Sequence, residues 1–169
     1  KKGKLKIEEP IFINGDLILY DDTQLLFSKN SYLIVNGCIT SRNDSNINFD
    51  AIDEYWLGLY ILNCKKGTSL KNINFNNIKE LNYGVLNLSG GINIYKSKVK
   101  MENININNAK GEDALNLIDS TYLINNIKIN NTISDGIDFD FSNGKLINSS
   151  FNNIGGDAID LSGSNTNIS

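Results

Sequence analysis

The sequence predicts an all-β fold, a parallel β-helix (solenoid) with coils of about 22 residues and an N-terminal capping region. The first observation is a repeat: similar segments begin at Glu112, Ser134 and Gly156, each 22 residues after the one before. The second is composition, because the 169 residues include 29 Asn and 25 Ile but one Pro and one Arg. Asn tolerates left-handed turns and Ile favours half-buried strands, so we expect many strands with a tight turn after each.

The repeated segments EDALNLIDS, SDGIDFDFS and GDAIDLSGS predict one strand in each coil. Each segment contains an Asp, then a small residue, then apolar residues that alternate with polar ones. Alternation with a period of two is typical of a strand that buries one face, so we expect the apolar side chains to point into a core. The apolar positions are Leu115, Leu117, Ile137, Phe139, Ile159 and Leu161.

A second strand is predicted between these segments. The strings NINFNNI, NININNA, NIKINNT and NSSFNNI are spaced 31, 23 and 22 residues apart. The interval of 31 predicts one coil with an inserted loop, which we place around residues 89–97. Each string contains an Asn pair, and stacked coils would set the second Asn of each pair above the previous one, in a ladder of amide hydrogen bonds. The predicted ladder residues are Asn77, Asn108, Asn131 and Asn153.

The period of the repeat leaves room for a third short strand in each coil. Leucine-rich repeats have a similar period, but they need a leucine framework and a helical or irregular return arm. The repeat here contains strands and turns and no helical stretch, so a β-helix coil fits better. Successive coils would then stack at about 4.8 Å, the spacing of paired strands.

The chain is interpreted as one domain with an atypical start. Residues 1–55 are predicted to form an N-terminal cap and short first coils, with an irregular stretch at 42–55, and residues 56–169 the regular coils. Trp56 is interpreted as a cap or core aromatic rather than a platform for sugar stacking. Because an open last coil exposes strand edges, we expect further coils beyond Ser169, or a partner, to cover that end.

Charge limits the classes of ligand. The net charge is −3 and the isoelectric point about 4.9, which argues against nucleic acid as a partner, because phosphate binding needs a basic surface. No apolar run is long enough to span a membrane. From Glu112 onward there are eight acidic residues and only two basic ones, Lys128 and Lys145, which suggests a cation or a neutral polar ligand.

The chain has two cysteines, Cys38 and Cys64, each among apolar neighbours. Two buried thiols are the favoured interpretation, and a disulfide is the alternative. Two cysteines do not make a disulfide scaffold, so they leave the redox compartment open.

Two acidic columns follow from the repeat. One contains Asp113, Asp135 and Asp157, and the other contains Asn116, Asp138 and Asp160 and is expected to point outward. Stacked carboxylates repel each other, so something must offset the repulsion.

Three explanations of these columns remain open. The Asp113, Asp135 and Asp157 side chains would cap turn amides, or they would bind Ca²⁺ with hard oxygen ligands. Alternatively, neighbouring carboxylates would share a proton, as catalytic pairs do, with Asp135, Asp138, Asp157 and Asp160 as the candidates. Our hypothesis is that Asn116, Asp138 and Asp160 mark the ligand-binding face.

The repeats resemble those of the pectate-lyase-like superfamily over residues 56–169. The strings SDGIDFDFS and GDAIDLSGS are similar to repeats of large secreted or surface bacterial proteins. The resemblance implies a right-handed parallel β-helix of three sheets, an extracellular setting and, often, polysaccharide as ligand or substrate.

The motifs of polygalacturonases, enzymes of this superfamily, match only in part. Asp135 matches the acid of their N-T-D motif and Asp157 the first acid of their D-D pair, but Ala158 replaces the second. Their G-H-G and R-x-K motifs are absent, since the chain has no His and its one Arg is Arg42. Hydrolysis of that kind is therefore not expected from this chain alone.

Two functions remain as predictions. The first is a non-catalytic β-helix module of a secreted or cell-surface protein, which binds glycan or serves as a rigid spacer. The second is a polysaccharide-active enzyme, a lyase, epimerase or hydrolase, whose remaining catalytic residues lie outside this chain.

Overall fold

The computed structural model describes residues 3–42, 46–83 and 86–169. Over these residues the chain forms strands and turns, with no helix. The strands are β1 (Gly3–Ile7), β2 (Ile11–Asn14), β3 (Leu17–Tyr20), β4 (Thr23–Phe27), β5 (Leu33–Asn36), β6 (Ile39–Arg42), β7 (Ile47–Ala51), β8 (Leu59–Leu62), β9 (Thr68–Asn76), β10 (Leu81–Tyr83), β11 (Leu86–Leu88), β12 (Gly90–Tyr95), β13 (Lys98–Ala109), β14 (Asp113–Ile118), β15 (Thr121–Thr132), β16 (Asp135–Asp140), β17 (Asn143–Ile147), β18 (Ser150–Asn152), β19 (Ile159–Ser162) and β20 (Asn165–Ile168).

The strands stack as the coils of a parallel β-solenoid of about seven turns, with a spacing of about 23 residues, which confirms the predicted fold class. Sheet 1 contains β3, β6, the first parts of β9, β13 and β15, then β17 and β20. Sheet 2 contains β1, β4, β7, the second parts of the same three long strands, and β18. Sheet 3 contains β2, β5, β8, β12, β14, β16 and β19.

Left-handed residues form the corners between sheets. Their φ angles lie between 47° and 62°, a region that Asn enters more easily than most residues. The corner from sheet 1 to sheet 2 uses Asn72, Asn103, Asn126 and Asn148. The corner after sheet 2 uses Asn77, Asn108, Asn131 and Asn153, and the corner after sheet 3 uses Asn63, Lys96, Asp119, Phe141 and Gly163. Two of the three corners therefore account for many of the asparagines in the sequence.

Asparagine side chains also join successive coils. In the predicted ladder, Nδ2 of Asn108 donates to Oδ1 of Asn77 at 3.1 Å, Asn131 donates to Asn108 at 3.3 Å and Asn153 to Asn131 at 2.9 Å. Asn77 in turn donates to Asp50 at 2.8 Å, so the column begins on an acid. Four more ladders have the same form: Asn14–Asn36–Asn63, Asn48–Asn74–Asn105, Asn72–Asn103–Asn126 and Asn76–Asn107–Asn130.

The core runs along the solenoid axis and contains the alternate apolar residues of all three sheets. Trp56 is fully buried, stacks on Phe27 with 4.1 Å between ring centroids, and donates from Nε1 to the Asn76 carbonyl at 3.0 Å. It is a core aromatic, as predicted. Leu161 is 44% exposed, because its strand, β19, pairs on one side with β16 and on the other side with no described strand.

A column of small polar residues follows sheet 3 and was not predicted. The backbone N–H groups of Cys64, Ser97, Ser120 and Ser142 each donate to the hydroxyl of the serine one coil later, at 2.8–3.1 Å. Ser142 is fully buried, and Ser164 ends the column. The hydroxyls satisfy N–H groups that would otherwise be buried without an acceptor at this corner.

Cys38 and Cys64 form a disulfide, so the favoured interpretation of two free thiols was wrong. The two residues lie on neighbouring coils, at the place in the column that serines occupy in later coils. Their Cα atoms are 4.9 Å apart, close to the strand spacing, and stacking therefore brings them within bonding reach.

Two other expectations were wrong. Residues 47–51 of the predicted irregular stretch form β7, which pairs with β4 and β9, while residues 43–45 lie outside the described residues. Residues 90–95 of the predicted inserted loop form β12, a regular strand of sheet 3. The insertion lies earlier, in the antiparallel hairpin of β10 and β11.

Candidate functional site

The outer face of sheet 3 changes its chemistry along the axis. Strand pairing aligns one outward position of every coil. The residues at this position are apolar or aromatic in the first three coils, amides in the next two and acids in the two after those. In order they are Phe12, Ile34, Tyr60, Asn93, Asn116, Asp138 and Asp160. We call Asn116, Asp138 and Asp160 the acidic column.

The inserted hairpin contacts this face at both of its ends. The backbone N–H of Leu81, where β10 begins, donates to the Tyr60 hydroxyl at 2.7 Å. Ser89, which follows β11, accepts a hydrogen bond from Nδ2 of Asn116 at 3.0 Å. Asn116 therefore occupies an outward position of sheet 3 but is only 2% exposed. Its position suits it to orient neighbouring groups rather than to meet a ligand directly.

The Asn116 amide links two acids from neighbouring coils. Nδ2 donates to Oδ2 of Asp113 at 3.2 Å and to Oδ2 of Asp138 at 3.4 Å, in addition to Ser89. An amide group carries two hydrogens, so these three acceptors share them. The carboxylates of Asp113 and Asp138 thus lie on either side of one donor, in a partly dehydrated site.

Both acids hold protons more tightly than usual. Burial raises the pKa of Asp138 to about 7, and the negative charges of neighbouring acids add to the rise. These acids are Asp140, Asp113, Asp160 and Asp135. Burial also raises the pKa of Asp113, although hydrogen bonds with Ser89 and Asn116 oppose the rise. Asp138 therefore exchanges a proton near neutral pH.

Three buried oxygens in this region accept no hydrogen bond from any described residue: Oε2 of Glu80, Oδ1 of Asn116 and Oδ1 of Asp138. A Cβ on Gly111 would lie 2.8 Å from the Glu80 oxygen and 3.1 Å from the Ser89 carbonyl oxygen, so the chain passes closely here. A buried acceptor without a donor costs about 1–3 kcal/mol. A proton on Asp138, or a donor from a ligand, would lower that cost.

The column of Asp113, Asp135 and Asp157 behaves differently. Oδ1 of Asp135 accepts a hydrogen bond from the backbone N–H of Asp157 at 2.8 Å, so Asp135 caps an amide one coil later. Asp16 does the same for Cys38 at 3.0 Å. Asp113 instead accepts a hydrogen bond from the side chain of Asn116, and Asp157 is exposed.

The calcium prediction concerns this same column, in which Asp135 caps an amide. Among residues 3–42, 46–83 and 86–169, no group of three or more His, Cys, Asp or Glu side chains is placed to hold a metal ion. Calcium binding by Asp113, Asp135 and Asp157 stays a prediction.

Parts of this site could not be read from the sequence. Glu80 and Ser89 were not predicted as members, since they flank the hairpin and belong to no repeat. The 31-residue interval was the one signal for the insertion, but it did not say which face the insertion would cover. Lys128, the base nearest to the acidic residues in the repeat, lies on sheet 2 and not on sheet 3.

No family model, curated protein or solved structure matches this chain. The part of the chain that the structure describes contains no helix of the length and apolar character needed to cross a membrane. The geometry of the chain itself is therefore the basis on which its function is inferred.

Proposed function

We propose that this chain is a rigid β-helix module of a secreted or cell-surface protein, of the pectate-lyase-like kind, and that it binds a glycan through the acidic column. The observation that carries the proposal is the pairing of Asp138, half-buried and with an oxygen that accepts no hydrogen bond from a described residue, with the exposed Asp160 one coil later. Sugar hydroxyls are donors of the kind that such carboxylate oxygens need.

Rigidity is supported by the contacts between coils. Five asparagine ladders, the serine column and the Cys38–Cys64 disulfide connect neighbouring coils outside the backbone ladder. In a solenoid each coil contacts only its neighbours, so such contacts stiffen the whole axis. A stiff axis holds the acidic column at a regular spacing, which suits a polymer with a regular repeat.

The extracellular setting is supported by the disulfide. Disulfides form and persist in oxidising compartments and are rare in the reducing cytosol. The bond between Cys38 and Cys64 is buried and joins neighbouring coils, as a structural disulfide does.

A paired substitution tests the glycan proposal. Asp138→Asn with Asp160→Asn removes both charges but keeps side-chain size, and we expect at least about a tenfold loss of affinity for whichever glycan the unaltered chain binds on an array. The matched control is Glu8→Gln with Asp53→Asn, two exposed acids away from sheet 3 that remove the same charge. Equal affinity of the two double variants, confirmed by calorimetry, would remove the acidic column from the binding site.

A second candidate, an enzyme that cleaves glycosidic bonds, is favoured by one observation. Because the pKa of Asp138 is raised to about 7, this carboxyl can donate a proton at neutral pH, as a general acid must. Incubation with polysaccharides should then release reducing or unsaturated ends, and Asp138→Asn should abolish that release. No product from any substrate, with calcium present, would favour the binding module.

A further inference from the structure

Three lysines gather around one aromatic ring at the corner between sheets 2 and 3. The Nζ atoms of Lys29, Lys79 and Lys110 lie 5.6, 5.3 and 5.7 Å from the centroid of the Tyr55 ring. No two of the ammonium groups can therefore be more than about 11 Å apart, close to the Debye length of about 8–10 Å at moderate salt. We call these four residues the lysine corner.

The solenoid repeat is what brings the lysines together. The backbone N–H of Lys79 donates to the Trp56 carbonyl at 2.9 Å, and that of Lys110 donates to the Ile78 carbonyl at 2.8 Å. The two lysines thus hold equivalent places on neighbouring coils, about 4.8 Å apart along the axis. Lys29 reaches the same ring from an earlier coil.

No lysine of the lysine corner forms an ion pair with a carboxylate of the described residues. None of the three ammonium groups has a carboxylate within 4.0 Å among these residues, whereas Lys66 and Lys100 do. Like charges on neighbouring coils repel, and contact with the face of Tyr55 offsets only part of the repulsion. An arrangement of this kind is completed by an anion.

A cavity of about 460 Å³ lies near the lysine corner, since Leu57, which lines it, follows Trp56, whose carbonyl accepts the hydrogen bond from the Lys79 N–H. Asn30 follows Lys29 in sequence, Leu57 lies two residues after Tyr55, and Leu81 lies two residues after Lys79. The residues that line the cavity are Glu9, Pro10, Asn30, Tyr32, Leu57 and Leu81. Its walls are partly apolar and partly hydrogen-bonding, as the site of a small polar organic molecule would be.

We propose that the lysine corner binds the sulfate or phosphate ester of a small polar ligand whose body occupies the nearby cavity. A tetrahedral oxyanion offers an acceptor oxygen to each of three ammonium groups, whereas a carboxylate has only two oxygens. Glu9 would repel a second anionic group in the cavity but accepts hydrogen bonds from hydroxyls, so the ligand carries its charge at one end. The inference is independent of the acidic column.

The acidic character of the rest of the chain favours a small ligand over a polyanion. The net charge is −3, and a long strand of phosphates would meet repulsion beyond the three lysines. Tighter binding of nucleic acid than of a small ester would therefore contradict the proposal.

Isothermal titration at low salt tests the inference on the whole chain with four probes: glucose 6-phosphate, glucose 6-sulfate, inorganic phosphate and glucose. We expect at least one ester to bind more than about tenfold more tightly than both glucose and inorganic phosphate, and its affinity to fall as salt is added. The ester that binds more tightly identifies the anion. No binding of either ester at millimolar concentration, or equal affinity for the ester and inorganic phosphate, would overturn the proposal.

Variants locate the binding. Lys79→Gln with Lys110→Gln should weaken ester binding about tenfold, whereas Lys128→Gln with Lys145→Gln, exposed lysines on sheets 2 and 1, should change it less than twofold. Circular dichroism checks the fold, and if the first pair fails to fold, Lys29→Gln alone should weaken binding about threefold. Equal losses in both pairs, no loss from Lys29→Gln, or tighter binding of a short DNA duplex than of either ester would contradict the inference.

Discussion

The side-chain amide of Asn116 donates to Oδ2 of Asp138 on the next coil at 3.4 Å and to Oδ2 of Asp113 on its own coil at 3.2 Å. One neutral donor thus lies between two acids of different columns, whose negative charges repel each other. The repeat creates the repulsion, and Asn116, which takes the place that Asp138 and Asp160 hold in later coils, reduces it.

Asn116→Ala should therefore destabilise the chain in a way that depends on pH. We expect a loss of about 2–3 kcal/mol in the free energy of unfolding at pH 8, above the pKa of Asp138, and a smaller loss at pH 5, below it. Urea unfolding at the two pH values measures it. Asn105→Ala, which removes one ladder hydrogen bond to Asn74 away from the acids, should cost about 1 kcal/mol at both pH values. The same pH dependence in both variants would contradict the role of Asn116.

Ionisation of the Asp138 carboxyl should make the folded chain less stable as pH rises. Its pKa is about 7 in the folded chain and 3.8 when unperturbed, so the folded state binds more protons between these values and the free energy of unfolding falls across that window. Because Asp138 is only partly buried, solvent screening reduces the expected fall to about 1–2 kcal/mol.

Asp138→Asn should remove that fall. It should raise the unfolding free energy at pH 8 and leave it nearly unchanged at pH 4, as measured by denaturant titration. Asp53→Asn, at an exposed position, is the control and should have no effect of this kind. A stability curve for Asp138→Asn that runs parallel to that of the unaltered chain would exclude a raised pKa.

The disulfide should be replaceable in part by serine. Removing it by Cys38→Ala with Cys64→Ala should cost about 2–4 kcal/mol, the usual value for a loop of this length. Cys38→Ser with Cys64→Ser should cost about 1 kcal/mol less, because a hydroxyl at position 64 can accept the Gly67 N–H that now donates to Sγ of Cys64. Thermal unfolding of the two variants compares them, and equal melting temperatures would contradict this role of the hydroxyl.

Gly111→Ala should weaken the attachment of the hairpin. The new Cβ would lie 2.8 Å from Oε2 of Glu80 and 3.1 Å from the Ser89 carbonyl oxygen, and we expect a cost of about 1–3 kcal/mol. Adding Glu80→Ala should restore part of the loss, because it removes the closer atom. Hydrogen exchange at the Leu81 amide reports hairpin opening directly, and unchanged protection in Gly111→Ala would contradict this prediction.

The fold could be predicted from the sequence because a solenoid repeats its physical constraints. Leu115 and Ile137 occupy the same inward position one coil apart, and both are fully buried. Asn108 and Asn131 share a left-handed corner, so the same side chain serves the same turn and the same ladder. Each coil therefore shows in its sequence the same residue types, at the same positions, as the coil before it.

The candidate site was less predictable, because it depends on an inserted hairpin that is not part of the repeat. The hairpin of β10 and β11 occurs in one coil and buries Asn116, while Asp160, at the same position two coils later, stays exposed. Spacing alone places both residues in one column. Their environments differ because of the hydrogen bonds of Leu81 to Tyr60 and of Ser89 to Asn116, which have no counterpart in other coils of the described residues.

The corner column after sheet 3 accepts either a hydrogen bond or a covalent bond between coils at nearly the same backbone geometry. Ser120 and Ser142 stand in the relation that Cys38 and Cys64 hold, 22 rather than 26 positions apart in the sequence. A cysteine pair introduced there would form a disulfide that joins one coil to the next. The solenoid could then be locked one turn at a time, and the unzipping of individual turns under mechanical load could be followed separately.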